Sequence, residues 1–405
     1  MTWATERLKI GKRRFRVVEM ELDFCSLTYG IAPCTAALSS AEPNKCFNTR
    51  VSCQDPPNYA PETKTYRFCD PVEGIPKLLA AIPSLKSVAV APAKIDPGNT
   101  LGVRASVSIE FADHRYHDRG VDNYAAERIS GVASFFGTGY TPYDQGTYFG
   151  KLRARNPYFV GRLLHVLTGY LPWDHNKPAG NQPEFTQAEV LDTLRRHTYV
   201  MDQWEGPDNG GSFKVTAKDV LRLTTGVKAE CPVQNTGRLS AGINAGVTAL
   251  TVTPAGTGNA EYAAAGTIRL ESELMTFTRT ADAFTVVRGT DGTTAAAHAA
   301  DVAIQQGKRF SSIRVDSIIE DLLTNFAGVS SAYIPTADWT AEADTWLASS
   351  IFSTVIVEPT SVETLVNELC REALVYLWWD EIDQEIKYRA LRPQDSEATV
   401  TEDNA

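Results

Sequence analysis

Apolar and polar positions alternate with a period near two through much of the chain, and helical spacing emerges clearly only in its last quarter. FRVVEMELDF (15–24) predicts a strand. Residues 25–70 carry Pro33, Pro43, Pro56, Pro57 and Pro61, which exclude long helices, and their apolar periodicity is weak. SVAVAPAKI (87–95) and RASVSIEFAD (104–113) are β-branched runs split by the turn signal DPGNTLG. A short helix is expected over 123–131, a Gly/Pro loop over 137–146, and strands within 148–172 and 196–204. PDNGGS (207–212) predicts a turn, and FKVTAKDVLRLTTG (213–226) a strand running into a short helix.

The character changes over 232–308, which are poor in charge and rich in Ala, Gly and Thr, with short strand-like runs between Gly-, Asp- or Asn-centred turns. This reads as a small all-β module inserted into an α+β protein. Helical spacing then appears over 311–329, through Val315, Ile318, Ile319, Leu322 and Leu323, ending at Gly328. It appears again from Ser361, a partial N-cap, with Val362, Leu365, Leu369, Ala373 and Tyr376 expected on the inward face. WWDEIDQEIKYRALRP (378–393) predicts a hairpin turning near 382–386. The expected fold class is therefore α+β and β-rich, in four parts: 1–70 with the cysteines, 71–231, the insert 232–308, and 309–405.

Length and composition agree with several packed cores: 405 residues, 43% hydrophobic and 22% charged, exclude wholesale disorder. No window approaches a membrane span, and no secretory signal is evident, so folding in the cytoplasm of the producing cell is expected. The net charge of −10, with one basic run at residues 7–16, argues against a nucleic-acid-gripping face.

Five of the seven cysteines lie between Cys25 and Cys69, spaced Cys25-x8-Cys34-x11-Cys46-x6-Cys53-x15-Cys69; Cys231 and Cys370 stand alone. Such a cluster on Pro-rich loops reads as a metal site before it reads as disulfides. Structural zinc favours gaps of two to four residues, none of which occurs here, whereas iron–sulfur clusters accept wider spacing. Iron–sulfur, zinc, disulfide and inert buried thiols stay open on spacing alone.

FCSLTYGIAPCTAALSSAEPNKCFNTRVSCQD (24–55) resembles the cysteine segment of siphophage tail-tip proteins, the lambda-type minor tail proteins with a four-iron, four-sulfur cluster and their relatives in gene transfer agents. Their ligands pair as C-x8-C and C-x6-C. The resemblance thus implies ligand roles for Cys25, Cys34, Cys46 and Cys53, with Cys69 a spare or substitute. The gap between the pairs is shorter here, and the segment lies early in the chain rather than late. Residues 87–118, 148–171 and 197–223, with 365–393, are similar to phage tail hub proteins, and the insert is similar to a small β module of phage structural proteins. These resemblances imply a non-enzymatic tail-tip hub of the virion. It would be a homotrimeric ring that meets the tail tube, distal tail and tape measure proteins and a central fibre or tip protein, with DNA passing through without specific binding. An iron–sulfur redox protein and a tail-associated cell-wall hydrolase are the alternatives.

Other groups carry weaker signals. His114 and His117, with Asp113 and Asp118, suit a polar turn better than a metal site, and an isolated His298 suits a structural role. Glu381, Asp383 and Glu385 read as a solvated turn rather than paired glycosidase carboxylates. Trp378 and Trp379 are expected to split between core and interface. No G-x-S-x-G, P-loop, HExxH or C-x3-C-x2-C motif occurs.

Overall fold

A computed structural model describes residues 2–9, 11–36, 46–96, 99–116, 146–172, 174, 177, 182–226, 228–348 and 350–392. It is β-rich, with 38% strand against 22% helix, in several sheets, as the α+β reading expects. No helix among the described residues is long and apolar enough to cross a membrane. The chain forms two compact units, one of Met1–Ala93, Arg104–Val220 and Glu381–Gln384, the other of Lys94–Val103, Leu221–Asp380 and Glu385–Ala405.

The first unit is built on one antiparallel sheet. Its strands are β1 (Arg14–Cys25), β2 (Pro61–Cys69), β3 (Leu85–Ala91), β6 (Ser106–Ala112), β7 (Leu163–Tyr170), β8 (Leu194–Glu205) and β9 (Ser212–Lys218), while β4 (Lys94–Asp96) and β5 (Asn99–Val103) belong to the second unit. The order is β2-β1-β7-β8-β9-β6-β3. At one point the two edges meet: Ile82, just before β3, receives the Cys69 N–H and donates to the Arg67 carbonyl, both at 2.9 Å. Strand alternation explains the two cores. Val18, Met20 and Leu22 of β1 pack with Phe68, Phe111, Phe149 and Phe213. Phe15 and Val17, on the other face, pack with Cys69, Leu79 and Leu167. Glu19 shares that second face. It is buried but held by Arg67 at 2.7 Å and Arg196 at 2.8 Å, so its charge is compensated twice.

Two differences from the sequence reading follow. Residues 1–70 supply two strands of this shared sheet, so a boundary at 70 falls inside it. Tyr148–Arg155 form a helix (α2, after α1, Trp3–Glu6), where a strand was expected. Thr147 caps α2 by accepting the Gly150 N–H, and Tyr148, Phe149 and Leu152 are its buried face. The helix expected over 123–131 lies outside the described residues.

The second unit holds the short strands β10 (Glu230–Cys231) and β18 (Thr360–Ser361), which pair, and a seven-stranded antiparallel sheet. That sheet comprises β11 (Arg238–Leu239), β12 (Ala249–Thr253), β13 (Ala265–Leu270), β14 (Glu273–Thr280), β15 (Ala283–Val287), β16 (Ile304–Arg314) and β17 (Ile351–Ile356). Its order is β11-β12-β15-β14-β13-β16-β17. The insert has its own core, from Leu239 through Phe277 and Phe284 to Ile304. Its incoming and outgoing segments are stitched together, since Asn235 accepts from the Gln306 N–H at 2.7 Å and from Gln305 Nε2 at 2.9 Å. β16 nevertheless runs across the boundary drawn at 308 and pairs with both β13 and β17, so the insert's sheet continues into the flanking chain.

Helical segments and a hairpin complete the unit: α5 (Val315–Asp321), α6 (Thr336–Trp346), α7 (Val362–Ala373) and the β19 (Val375–Asp380)–β20 (Glu385–Ala390) hairpin, with α3 (Gln187–Leu191) and α4 (Thr257–Glu261) earlier in the chain. The 311–329 helix is shorter than expected. Ser311–Arg314 stay in β16, and Leu322–Phe326 loosen into a π-helical turn before Gly328 at φ 70°. α7 starts at Ser361 as expected, its hydroxyl accepting the Thr364 N–H at 3.2 Å, and stops at Leu374 with φ 55°. Tyr376 therefore belongs to β19 and not to a helix face. The buried stripe of α7 is Val362, Val366, Cys370 and Ala373, while Leu365 and Leu369 are only half-buried.

Candidate metal centre

β1 ends at Cys25, and β2 begins at Pro61, its register partner; the described residues between them, 26–36 and 46–60, form short turns. Cys25, Cys34, Cys46 and Cys53 all line one small cleft in this excursion, together with Tyr29, Asn48, Asp55 and Tyr59. Cys25 and Cys46 are buried, Cys34 and Cys53 half-buried, and all four are free thiols. The enclosed space between them is about 10 Å³, the room of about one water, and the cleft opens outward.

Two side chains hold the turns in place. Asn48, at φ 57°, takes the left-handed conformation that Asn tolerates better than most residues. Its carbonyl accepts the Cys25 N–H at 2.7 Å, and its Nδ2 donates to the Cys25 and Leu27 carbonyls, both at 2.9 Å. Its own N–H donates to Cys46 Sγ at 3.3 Å. Asp55 accepts from the Thr35 N–H at 2.7 Å, the Thr35 hydroxyl at 2.9 Å and Asn58 Nδ2 at 3.1 Å. The Thr35 N–H, then the Asn58 side chain, hold the Asp55 carboxyl below the usual range. A backbone donor at Cys46 and an ionised clamp joining 35 to 55 are what a loop needs if burial cannot stiffen it.

Burial pushes the Cys53 thiol up; the Asp55 N–H opposes this, and the neighbouring Cys25, Cys34 and Asp55 add to the rise. A thiol so placed holds its proton until a cation displaces it. Among the described residues, no three His, Cys, Asp or Glu side chains close on a point as the ligands of a single ion do. In chemical type the donor set remains that of a thiolate-bound centre, with four free thiols on one cleft and an N–H aimed at sulfur.

Cys69 is elsewhere. It pairs with Val17 while Cys25 pairs with Pro61, so eight residues of β2, roughly 26 Å of strand, separate Cys69 from the cleft end. It is fully buried in the second core, where desolvation raises its thiol to about 12. It cannot substitute as a ligand without unpairing β2. Cys231 and Cys370 are likewise buried, each thiol raised by burial to about 12. The clamps Asn48 and Asp55 were not singled out from sequence; the Asp55-Pro56 turn signal was the available hint.

The remaining candidates resolve individually. The Asp113 carboxylate accepts the Phe149 N–H at 3.0 Å, and the His114 ring stacks on Tyr148, while His117 and Asp118 lie outside the described residues. Glu381 accepts from the Tyr199 hydroxyl at 3.0 Å, and Glu385 pairs with Lys387 at 2.8 Å. Trp379 is buried and Trp378 half-buried on successive positions of β19. His298 is buried against Glu273 at 2.9 Å and Glu271 at 2.8 Å. No family model matches the chain, and no curated protein matches it.

Proposed function

We propose that this chain is a structural hub protein of a long-tailed bacteriophage tail tip, without enzymatic activity of its own. The observation that carries the reading is the gathering of Cys25, Cys34, Cys46 and Cys53 on one cleft at the end of a long sheet strand. That is where the resemblance to tail-tip cysteine segments puts a cluster. In this reading the four thiolates hold a four-iron, four-sulfur cluster, with zinc the competing occupant. When bound, the cluster would supply a covalent cross-link between the thiol-bearing turns. Asn48 and Asp55 orient the thiol-bearing turns, and Asn48 donates a hydrogen bond to the Cys46 sulfur. The β-rich architecture suits a ring-forming tube component, because closing a ring removes sheet edges.

Three copies would close a ring through a heterologous interface, beneath the tail tube and distal tail proteins and above a central fibre or tip protein. The tape measure protein and, transiently, DNA would occupy the axis. Net negative charge would keep DNA from adhering. Electron microscopy of the assembled particle tests this reading. Three copies around the tail axis directly below the tube are expected; another copy number, or a place on the outer surface, overturns it.

A further inference from the structure

The edges of the two large sheets are not guarded alike. β2 carries Pro61, Glu62 and Lys64, β3 carries Lys86, and β11 is only two residues long, which are ordinary protections against strand addition. β17 has none of them. Its sequence IFSTVI has no charge and no proline, and it ends its sheet with no strand partner on its outer side among the described residues. Beside it lies a groove of about 420 Å³. Successive strand side chains point to opposite faces, yet Thr354, Val355 and Ile356 of β17 and the following Val357 and Glu358 all line this groove, so it takes in the strand's edge, while Phe310 of β16 and Ile318 of α5 extend it under the sheet face. The opposite wall is α7, through the half-buried Leu365 and Leu369 and the exposed Glu368 and Glu372 one turn apart. Glu358 is already paired with Arg269. No ion pair of Glu368 or Glu372 occurs among the described residues.

We propose that this slot docks an extended segment of a partner protein, added as a further strand to β17, with apolar side chains alternating with Lys or Arg. The unpaired edge supplies main-chain donors and acceptors, Leu365 and Leu369 supply an apolar wall, and Glu368 and Glu372 select basic residues. The chain's own segments fit poorly. The stretch from Asp395 to Asp403 is acidic, and the basic run at 7–16 follows α1 and leads into β1, a strand already paired on both sides. The slot lies wholly within the second unit and does not depend on the cysteine cleft or on ring formation.

The test uses the full chain and a synthetic peptide of alternating Lys and Val, with a Glu/Val peptide as control. The Lys/Val peptide should bind, weaken with added salt, and slow hydrogen exchange at 351–357. E368K/E372K, at two exposed positions where reversal spares the fold, should weaken Lys/Val binding about tenfold or more and favour the Glu/Val peptide. Unchanged affinity in that variant, protection confined to other segments, or no binding overturns the proposal. Protection of 351–357 that grows with protein concentration without peptide also overturns it, in favour of a second copy of this chain.

Discussion

The backbone N–H of Asn48 donates to Cys46 Sγ at 3.3 Å, while the Asn48 side chain ties down the carbonyls of Cys25 and Leu27. One residue thus fixes two of the four thiols that face the cleft. Asn48→Gly keeps the left-handed backbone and the N–H but removes the side-chain clamp. After anaerobic reconstitution with iron and sulfide, this variant should hold metal about 10–100-fold more weakly, as loss of outer-shell support does elsewhere. Competition with a chelator measures it.

Serine at Cys25, Cys34, Cys46 or Cys53 should abolish the visible absorption of a reconstituted cluster and lower bound iron and sulfide. Cys69→Ser should leave both in place. Its effect falls on stability instead, by about 1–3 kcal/mol, because it puts a hydroxyl into an apolar core. Metal analysis and denaturant unfolding separate the two outcomes. Loss of iron in Cys69→Ser with retention in Cys25→Ser would reverse the ligand assignment.

Metal uptake should release protons and strengthen as pH rises. Burial holds the Cys53 thiol above its ordinary pKa, so near neutral pH a proton must leave before sulfur can bind. Titration calorimetry in buffers of different ionisation enthalpy counts the protons. A pH-independent affinity would show that the thiols are not the ligands.

In the inserted module, Glu273 is the hub of a buried network. It meets Arg288 Nε and Nη2 at 2.7 Å and the N–H groups of Gly289 and Ala296 at 3.0 Å, with His298 at 2.9 Å. Burial alone would raise its pKa, but these donors outweigh it and hold the carboxyl at about 2, well below the usual carboxylate range. A depressed carboxylate stabilises the fold fully above the unfolded pKa and loses that contribution as pH falls through the folded one. Thermal stability of the module should therefore drop between about pH 4.5 and 2, and Glu273→Gln should flatten that drop. Arg288→Met, which strands the buried carboxylate, should cost about 3–5 kcal/mol.

Replacing 236–304 by a short Gly/Ser bridge should leave the remainder folded. The segments to be joined already lie together through Asn235, Gln305 and Gln306, and the module's core is its own. The exposed flank of β16 left without β13 makes aggregation the failure to watch, by light scattering. Loss of the native circular dichroism of the remainder would show that the module belongs to the main core.

The sequence by itself determined the kind of local structure wherever one period dominated. FRVVEMELDF reads as a strand, Ser361 as a helix start and WWDEIDQEI as a hairpin because alternation, capping and turn chemistry act over a few neighbouring residues. It also showed a cluster of five cysteines, of which the resemblance to tail-tip cysteine segments, and not spacing alone, singled out four. What only tertiary structure decided is which surfaces are covered and which distant residues meet. β1 buries both faces because one packs into the core of Phe68, Phe111 and Phe149 and the other into that of Leu79 and Leu167, and the residues that cover it come from distant parts of the chain. Tyr148–Arg155 falls in a stretch, 148–172, expected to hold strand, but a Thr147 cap and packing of Phe149 against Phe111 and Phe213 make it a helix. The stripe of α7 that packs is Val362–Val366–Cys370, so Leu365 and Leu369, one position away and about 100° around the helix, are left to wall a groove. Cys69 is set apart by strand register alone. Register is fixed by long-range pairing, and pairing places Cys69 at the far end of the strand from Cys25.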